Sequence, residues 1–495
     1  MSKAYYIGTF IHSLTLTTLE IVEHGTICVS NGIIQSIHRM GEDYTESDST
    51  LPPSALLQKL GHDSDGSNNN ASQLTIRVIP KNHFLFPGLI DTHIHASQYP
   101  NLGIFGKTTL LEWLNKYTFP LEASLTDATK AKRVYTQCVQ RSLRNGTTTA
   151  AYYATQSARS TNILTDVVVS LGQRGFVGRC AMDSDLQPKW YRDGSPEAAV
   201  EDTSACVEYC KEADRSGRVR GIVTPRFAPS CSRDTLSRLG RLLAEGEEEG
   251  LRCQTHISEN RNEVELVRQL FPECSSYAQV YDAYGLLTSR TVLAHAIHLT
   301  EEEIALVRSR GCGISHCPTS NMALGSGNLW VRHLLDEGVK VGLGTDISGG
   351  YDVNVLEAAR MACLVSRGVA EGGKGDESKI SVEEALWLAT RGGAEVLGLD
   401  GKVGGLEVGM AWDVILVGAD EVPADQDGEN AEKMLNGVVH HHHHQEGKHT
   451  TTKIGGKVDF FGWESWEEKL AKWLFSGDDR NVRAVWVGGE LVCRK

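Results

Sequence analysis

At 495 residues, 40% hydrophobic and 23% charged, the chain has an ordinary globular composition, with room for one large domain and a smaller one. Its net charge of −14 and the lack of any apolar run of about 18 residues argue against a nucleic-acid or membrane partner. Twelve cysteines without a Cys-x-x-Cys pair, behind an N-terminus unlike a secretory signal, argue against a disulfide framework and point to a reducing, cytoplasmic setting.

The first forty residues read as short strands, with Asn31-Gly32 as the turn of a hairpin inside Ile27–Ile34. A polar stretch over 41–73, including Asp63–Asn70, holds too little apolar surface to order itself. From there a repeating rhythm begins, in which a β-rich run precedes a helical stretch and then a glycine. The glycines are Gly146, Gly175, Gly217, Gly250, Gly311 and Gly338, each placed to end a helix in a left-handed conformation. Eight apolar segments result: Phe84–His95, Thr147–Tyr153, Phe176–Asp183, Gly221–Phe227, Leu251–His256, Thr291–His295, Cys312–His316 and Lys340–Asp346. Among the intervening helices, Asp234–Gly246 places Leu236, Leu239, Leu242 and Leu243 on one face. Buried cysteines such as Cys253 and Cys312 lie inside the apolar runs as small side chains. A second polar stretch, 420–457, carries the run His440–His444, read as a solvated loop in preference to a weak metal site. Ala484–Val492 closes the chain with another hairpin pattern around Gly488-Gly489.

Eight strands alternating with helices over about 300 residues give an α/β fold, the (β/α)8 TIM-type barrel, with a doubly wound open sheet as competitor. The predicted organisation is a barrel over 86–398. A small β-sandwich domain is shared between 1–85 and 399–495, because neither terminal segment has enough sequence for its own core.

The polar residues that need explaining fall at the C-terminal ends of the strands, the face on which such barrels carry their chemistry. In Pro87-Gly88-Leu89-Ile90-Asp91-Thr92-His93-Ile94-His95, the two histidines are two apart and share one face of a strand, so both rings can reach one metal ion. Asp91 is expected to hydrogen-bond locally. His256, His295 and Asp346 end the fifth, sixth and eighth segments. Each alone could be a buried, satisfied side chain or a helix cap. Together they place metal-capable groups from four strands on one rim.

These residues resemble the amidohydrolase superfamily, and more narrowly its branch that deaminates guanine. The likeness extends to Leu-Glu-Trp-Leu-Asn-Lys-Tyr-Thr-Phe-Pro (111–120), Thr-Pro-Arg-Phe (224–227), His-Ile-Ser-Glu-Asn-Arg (256–261), His-Cys-Pro-Thr-Ser-Asn (316–321), Gly-Leu-Gly-Thr-Asp-Ile-Ser-Gly-Gly-Tyr (342–351) and Gly-Asp-Asp-Arg-Asn (477–481). The resemblance implies zinc ligands at His93, His95, His256 and Asp346, and catalytic roles for Glu259, His295 and Asp346. It implies substrate contacts at Gln98, Arg226 and Phe227, with His95, His256, Glu259 and Asp346 also reaching the substrate. No lysine ends the fourth segment, so one zinc per subunit is expected. The implied activity is hydrolysis of a cyclic amidine C–N bond, taking guanine and water to xanthine and ammonia in purine breakdown, by a homodimer. Similarly wired deaminases of adenosine-derived thioethers or triazines, a metal-free scaffold, and a metal-storage role for His440–His444 are the competing possibilities.

Overall fold

The computed structural model describes residues 3–39, 55, 74–107, 110–421 and 456–495. The predicted polar inserts, with His440–His444, lie outside the described residues except at Ala55 and at the ends of the second insert.

The N-terminal strands are β1 (Lys3–Ser13), β2 (Leu19–Ser30), β3 (Ile33–Arg39), β4 (Leu74–Val78) and β5 (His83–Pro87). Asn31 and Gly32 both have positive φ, as the two-residue turn between β2 and β3 requires. The barrel follows: β6 (Leu89–His95), β7 (Thr147–Tyr153), β8 (Arg174–Gly178) continued by β9 (Cys180–Ala181), β10 (Val219–Pro225), β11 (Arg252–Ile257), β12 (Thr291–His295), β13 (Gly313–His316) and β14 (Lys340–Leu343). Each pairs in parallel with the next. Every residue of β6, β7 and β12 is buried, which is why these segments read as unbroken apolar runs instead of alternating ones. The ring closes beyond β14, where the Asp346 amide donates to His93 O (2.9 Å) and the His95 amide to Ile347 O (3.2 Å). Closure therefore happens at the rim where the predicted site lies.

The expected strand Phe84–His95 is in fact two strands in two sheets. His83–Pro87 pairs antiparallel with β15 (Val414–Gly418), whereas Leu89–His95 pairs with β7. Gly88 is the crossing point, and a side chain there would run into Thr148. An apolar run cannot show where a strand changes partner. The predicted helix cap Gly175 is also corrected: it lies inside β8, and the left-handed residue is Gly172. The helix expected over 234–246 spans Arg233–Glu245 and buries Leu236, Leu239 and Leu243.

The terminal segments form one mixed sheet in the order β17-β16-β15-β5-β1-β2-β3, with β4 also on β1; β16 is Val482–Val487 and β17 is Glu490–Arg494. Its two end hairpins meet: Gly32 packs so tightly on Gly488 and Gly489 that a Cβ would not fit, and the Trp412 amide donates to Gly32 O (2.7 Å). Tyr6, Phe10, Ile34, Trp412 and Trp486 form a core within this sheet, separate from that of the barrel. Buried Asp413 joins the two domains, accepting from Arg174 Nε (2.8 Å) and the Gly488 amide (2.7 Å).

Candidate active site

At the rim, the backbone aims the side chains inward at a cost. Ser258, His295, Ala296 and Asp346 all have positive φ, between 46° and 72°, at or just past the ends of β11, β12 and β14. Such conformations cost about 1–3 kcal/mol each and persist only where the surroundings enforce them. Buried Asp91 is one of the enforcers. It accepts from the Thr345 amide (3.0 Å), Thr345 Oγ1 (2.6 Å) and the His93 amide (3.2 Å), so beyond the expected local bond it ties β6 to the distant loop holding Asp346. Burial pushes its carboxyl up to about 7.

Donor atoms converge at the centre. Among the described residues, one ligand atom each of His93, His256, His295 and Asp346 lies within 4.8 Å of the others. His95 belongs to the same cluster: its Nε2 is 3.1 Å from His256 Nε2 and 3.5 Å from Asp346 Oδ1, and His93 Nε2 is 3.1 Å from Asp346 Oδ1. His295 Nε2 stands slightly further out, 3.7 Å from Asp346 Oδ2 and 3.6 Å from Glu259 Oε2. Donors about 2.0–2.2 Å from one tetrahedral ion sit roughly 3.4 Å apart. The His93–Asp346, His95–Asp346 and His95–His256 spacings are close to that.

Protonation favours a cation as well. Burial lowers the pKa of His93, His95 and His256, which keeps the imidazoles neutral. The His256 Nδ1 proton goes to Arg226 O (2.6 Å), so its Nε2 presents a lone pair to the centre. Burial alone would raise the Asp346 carboxyl, but His93 and the neighbouring histidines outweigh it and hold the group well below the usual carboxylate range. Several lone pairs and one carboxylate facing each other in a dry site repel unless a cation lies between them. The residues present fit a divalent metal ion.

Glu259 has the opposite character. Burial pushes its carboxyl up to about 7, within reach of both protonation states near neutral pH. The capping-box carboxylate Glu263 accepts from the Glu259 amide (2.9 Å) and fixes that turn. Burial would lower His295, but Glu259 and Asp346 outweigh it and raise its pKa. Its Nδ1 pairs with Asn321 Oδ1 (2.9 Å).

A partly open cavity lies over these groups. Every predicted site residue except His93 lines it, and His93 lies directly behind. The residue matching the amidohydrolase pattern at each strand end thus stands at this cavity or beside it.

The amidohydrolase family model matches residues 84–492. The chain belongs to the amidohydrolase family. Within it, the chain is 42% identical to the "Probable guanine deaminase" of Schizosaccharomyces pombe over 98% of this chain and 83% of that one. It is 41% identical to guanine deaminase of Homo sapiens over 84% of each. The crystal structure of guanine deaminase from C. acetobutylicum, with guanine in its active site, superposes with a TM-score of 0.79 at 29% identity, covering 99% of this chain and 100% of that one.

Beyond the family's metal end, the structure adds residues that the sequence reading did not single out. Leu110, Trp113, Leu114 and Leu324 wall the cavity with apolar surface. Their signal was the apolar content of 110–114, which reads equally well as core. Asn321 and Glu263 hold His295 and Glu259. The largest omission is Glu122. Fully buried, it receives Arg226 Nη1 (2.6 Å) and Nη2 (3.4 Å), Gln98 Nε2 (3.0 Å), Ser97 Oγ (3.2 Å) and Tyr191 OH (2.7 Å). Burial would lower the Arg226 pKa, but Glu122 outweighs it and keeps the guanidinium charged. Arg226 is therefore not a free fork, because its two terminal nitrogens already face a carboxylate.

Proposed function

We propose that this protein is a zinc-dependent guanine deaminase, converting guanine and water to xanthine and ammonia. One observation carries the reading: a single cavity joins a convergence of imidazole and carboxylate donors to a cluster of directed hydrogen-bonding groups from Arg226 and Gln98. The family membership and the likeness to guanine deaminases support the choice of base.

His93, His95, His256 and Asp346 would hold one zinc ion, since β10 ends in Thr224-Pro225-Arg226 without a lysine to bridge a second. When bound, zinc acts as a Lewis acid that makes water acidic enough to react near neutral pH. Glu259, titrating near neutrality, takes the proton of the water that adds to C2 and passes it to the adjacent ring nitrogen. A second transfer, of the C2 hydroxyl proton to the exocyclic amine, releases ammonia and forms the C2 carbonyl. His295, braced by Asn321, donates toward the adding oxygen and keeps Asp346 oriented.

At the other end, Arg226 has five N–H donors and Glu122 takes two, so three remain for O6 and N7 of the base. Adenine carries a donor amine at position six and would meet a donor with a donor, a mismatch that such sites reject by about 10⁴-fold. Gln98 gives one N–H to Glu122 and accepts from the Ser348 amide (3.2 Å), leaving one donor and one acceptor for the ring edge. Phe227 walls the cavity beside them. The family likeness also underlies the reading of a cytoplasmic homodimer. Among the described residues, no helix is long and apolar enough to cross a membrane.

The test is ammonia release from guanine, adenine, 5′-methylthioadenosine and a triazine by the zinc-loaded full chain. Turnover of guanine with little from the others is expected. Absence of ammonia from guanine, or faster release from another substrate, removes the assignment.

A further inference from the structure

The acidic hub of the cavity lies outside the expected catalytic set. A carboxylate has about four lone-pair positions. Glu122 receives five donor contacts, from Arg226 (two), Gln98, Ser97 and Tyr191, and its side chain is fully buried. Nothing is left over to touch a ligand. Two of its partners, Gln98 and Arg226, line the cavity, while Tyr191 belongs to the apolar cluster with Phe119 and Leu114. The Arg226 guanidinium also lies over the Phe119 ring at 5.1 Å, which fixes its plane.

The charges add a second consequence. An unpaired arginine buried in a cavity is a site for an anion. Paired with Glu122, the same arginine keeps its directional donors while the pair carries no net charge, which suits a neutral heterocycle. From this geometry we infer that Glu122 is a positioning and specificity-determining residue. It fixes the Arg226 donors and the Gln98 amide against the base, and it sets the cavity's preference for a neutral purine over an anionic one. The inference rests on the guanine reading above, so the experiment separates the two.

The full-length, zinc-loaded protein is compared with Glu122→Gln, Tyr191→Phe, Arg226→Met and Arg226→Met/Glu122→Gln. The readouts are KM and kcat for guanine, metal content, thermal midpoint, and inhibition by xanthine across pH. Xanthine serves because it loses a ring proton more readily than guanine and so offers neutral and anionic forms of one shape. If the unmodified protein does not deaminate guanine, the substrate reading fails. With that control active, the results below concern Glu122 alone.

Glu122→Gln should keep its metal and raise KM by about 30-fold or more, with kcat changed by less than about tenfold. Xanthine inhibition should strengthen as pH rises through the deprotonation of xanthine, relative to the unmodified protein, because the variant cavity holds an uncompensated cation. Tyr191→Phe, which removes one donor remote from the base, should raise KM by about threefold. The double variant removes both buried charges. It should melt higher than either single variant and have a KM no worse than that of Arg226→Met, since Glu122 acts through Arg226. Unchanged KM and an unchanged pH profile of xanthine inhibition in Glu122→Gln would overturn the inference. Should that variant not fold, an unchanged KM in Tyr191→Phe, or a KM for the double variant well above that of Arg226→Met, overturns it instead.

Discussion

The two ends of the cavity are built on opposite principles. At one end, His93, His95, His256 and Asp346 gather imidazole nitrogens and a carboxylate around one point, an arrangement that suits a cation. At the other, Arg226, Gln98, Ser97 and Tyr191 crowd donors onto one carboxylate and leave none of its lone pairs free. The first end is completed by binding an ion. The second is complete already and offers only the N–H groups that Glu122 does not use. Reactivity and recognition can therefore be disturbed separately, and kinetics should sort variants by the end they touch.

Removing the metal should have the largest effect. Chelation should lower turnover of guanine by at least about 10³-fold, with zinc restoring it, because the reactive end has no other source of acidic water. Residual turnover near the starting rate, measured as ammonia release, would break the comparison. Next, Glu259→Gln should lower kcat by about 10²-fold or more while metal content and KM stay put. Arg226→Met should do the reverse, raising KM by about 10–100-fold at unchanged metal content. The same variant strands Glu122 as a buried, unpaired charge, so urea unfolding should show a loss of about 3–5 kcal/mol. Asn321→Ala, which frees His295, should cost about tenfold in kcat. Smallest of all, replacing His440–His444 by serines should leave kcat and one metal per chain unchanged, as metal analysis of the purified variant would show.

How far the sequence revealed this arrangement depends on how local each signal is. His93 and His95 are two residues apart on one strand, and His256, His295 and Asp346 each end an apolar run, so strand periodicity gathers them on one rim, while their roles came from the family resemblance. The barrel was legible for the same reason: its strands are buried on both faces. Phe84–His95 misled because one apolar run serves two sheets, and only pairing shows the change at Gly88. Glu122 was invisible because its meaning is entirely non-local. It meets Gln98 from 24 residues away and Arg226 from 104, and the matched stretch 111–120 stops two residues before it. A carboxylate following Phe119-Pro120-Leu121 was the available hint, yet any helix turn can carry one. Arg226 was legible only in part. Residue type predicted its donors correctly, but not that two of them were already engaged.

The most direct test of the central claim is anomalous X-ray diffraction from zinc-loaded crystals. The account predicts one ion per chain at the end of β6, β11 and β14, bonded at about 2.0–2.2 Å to His93, His95 and His256 nitrogens and an Asp346 oxygen. An ion bound elsewhere, or none in this cluster from a protein that still deaminates guanine, would contradict it.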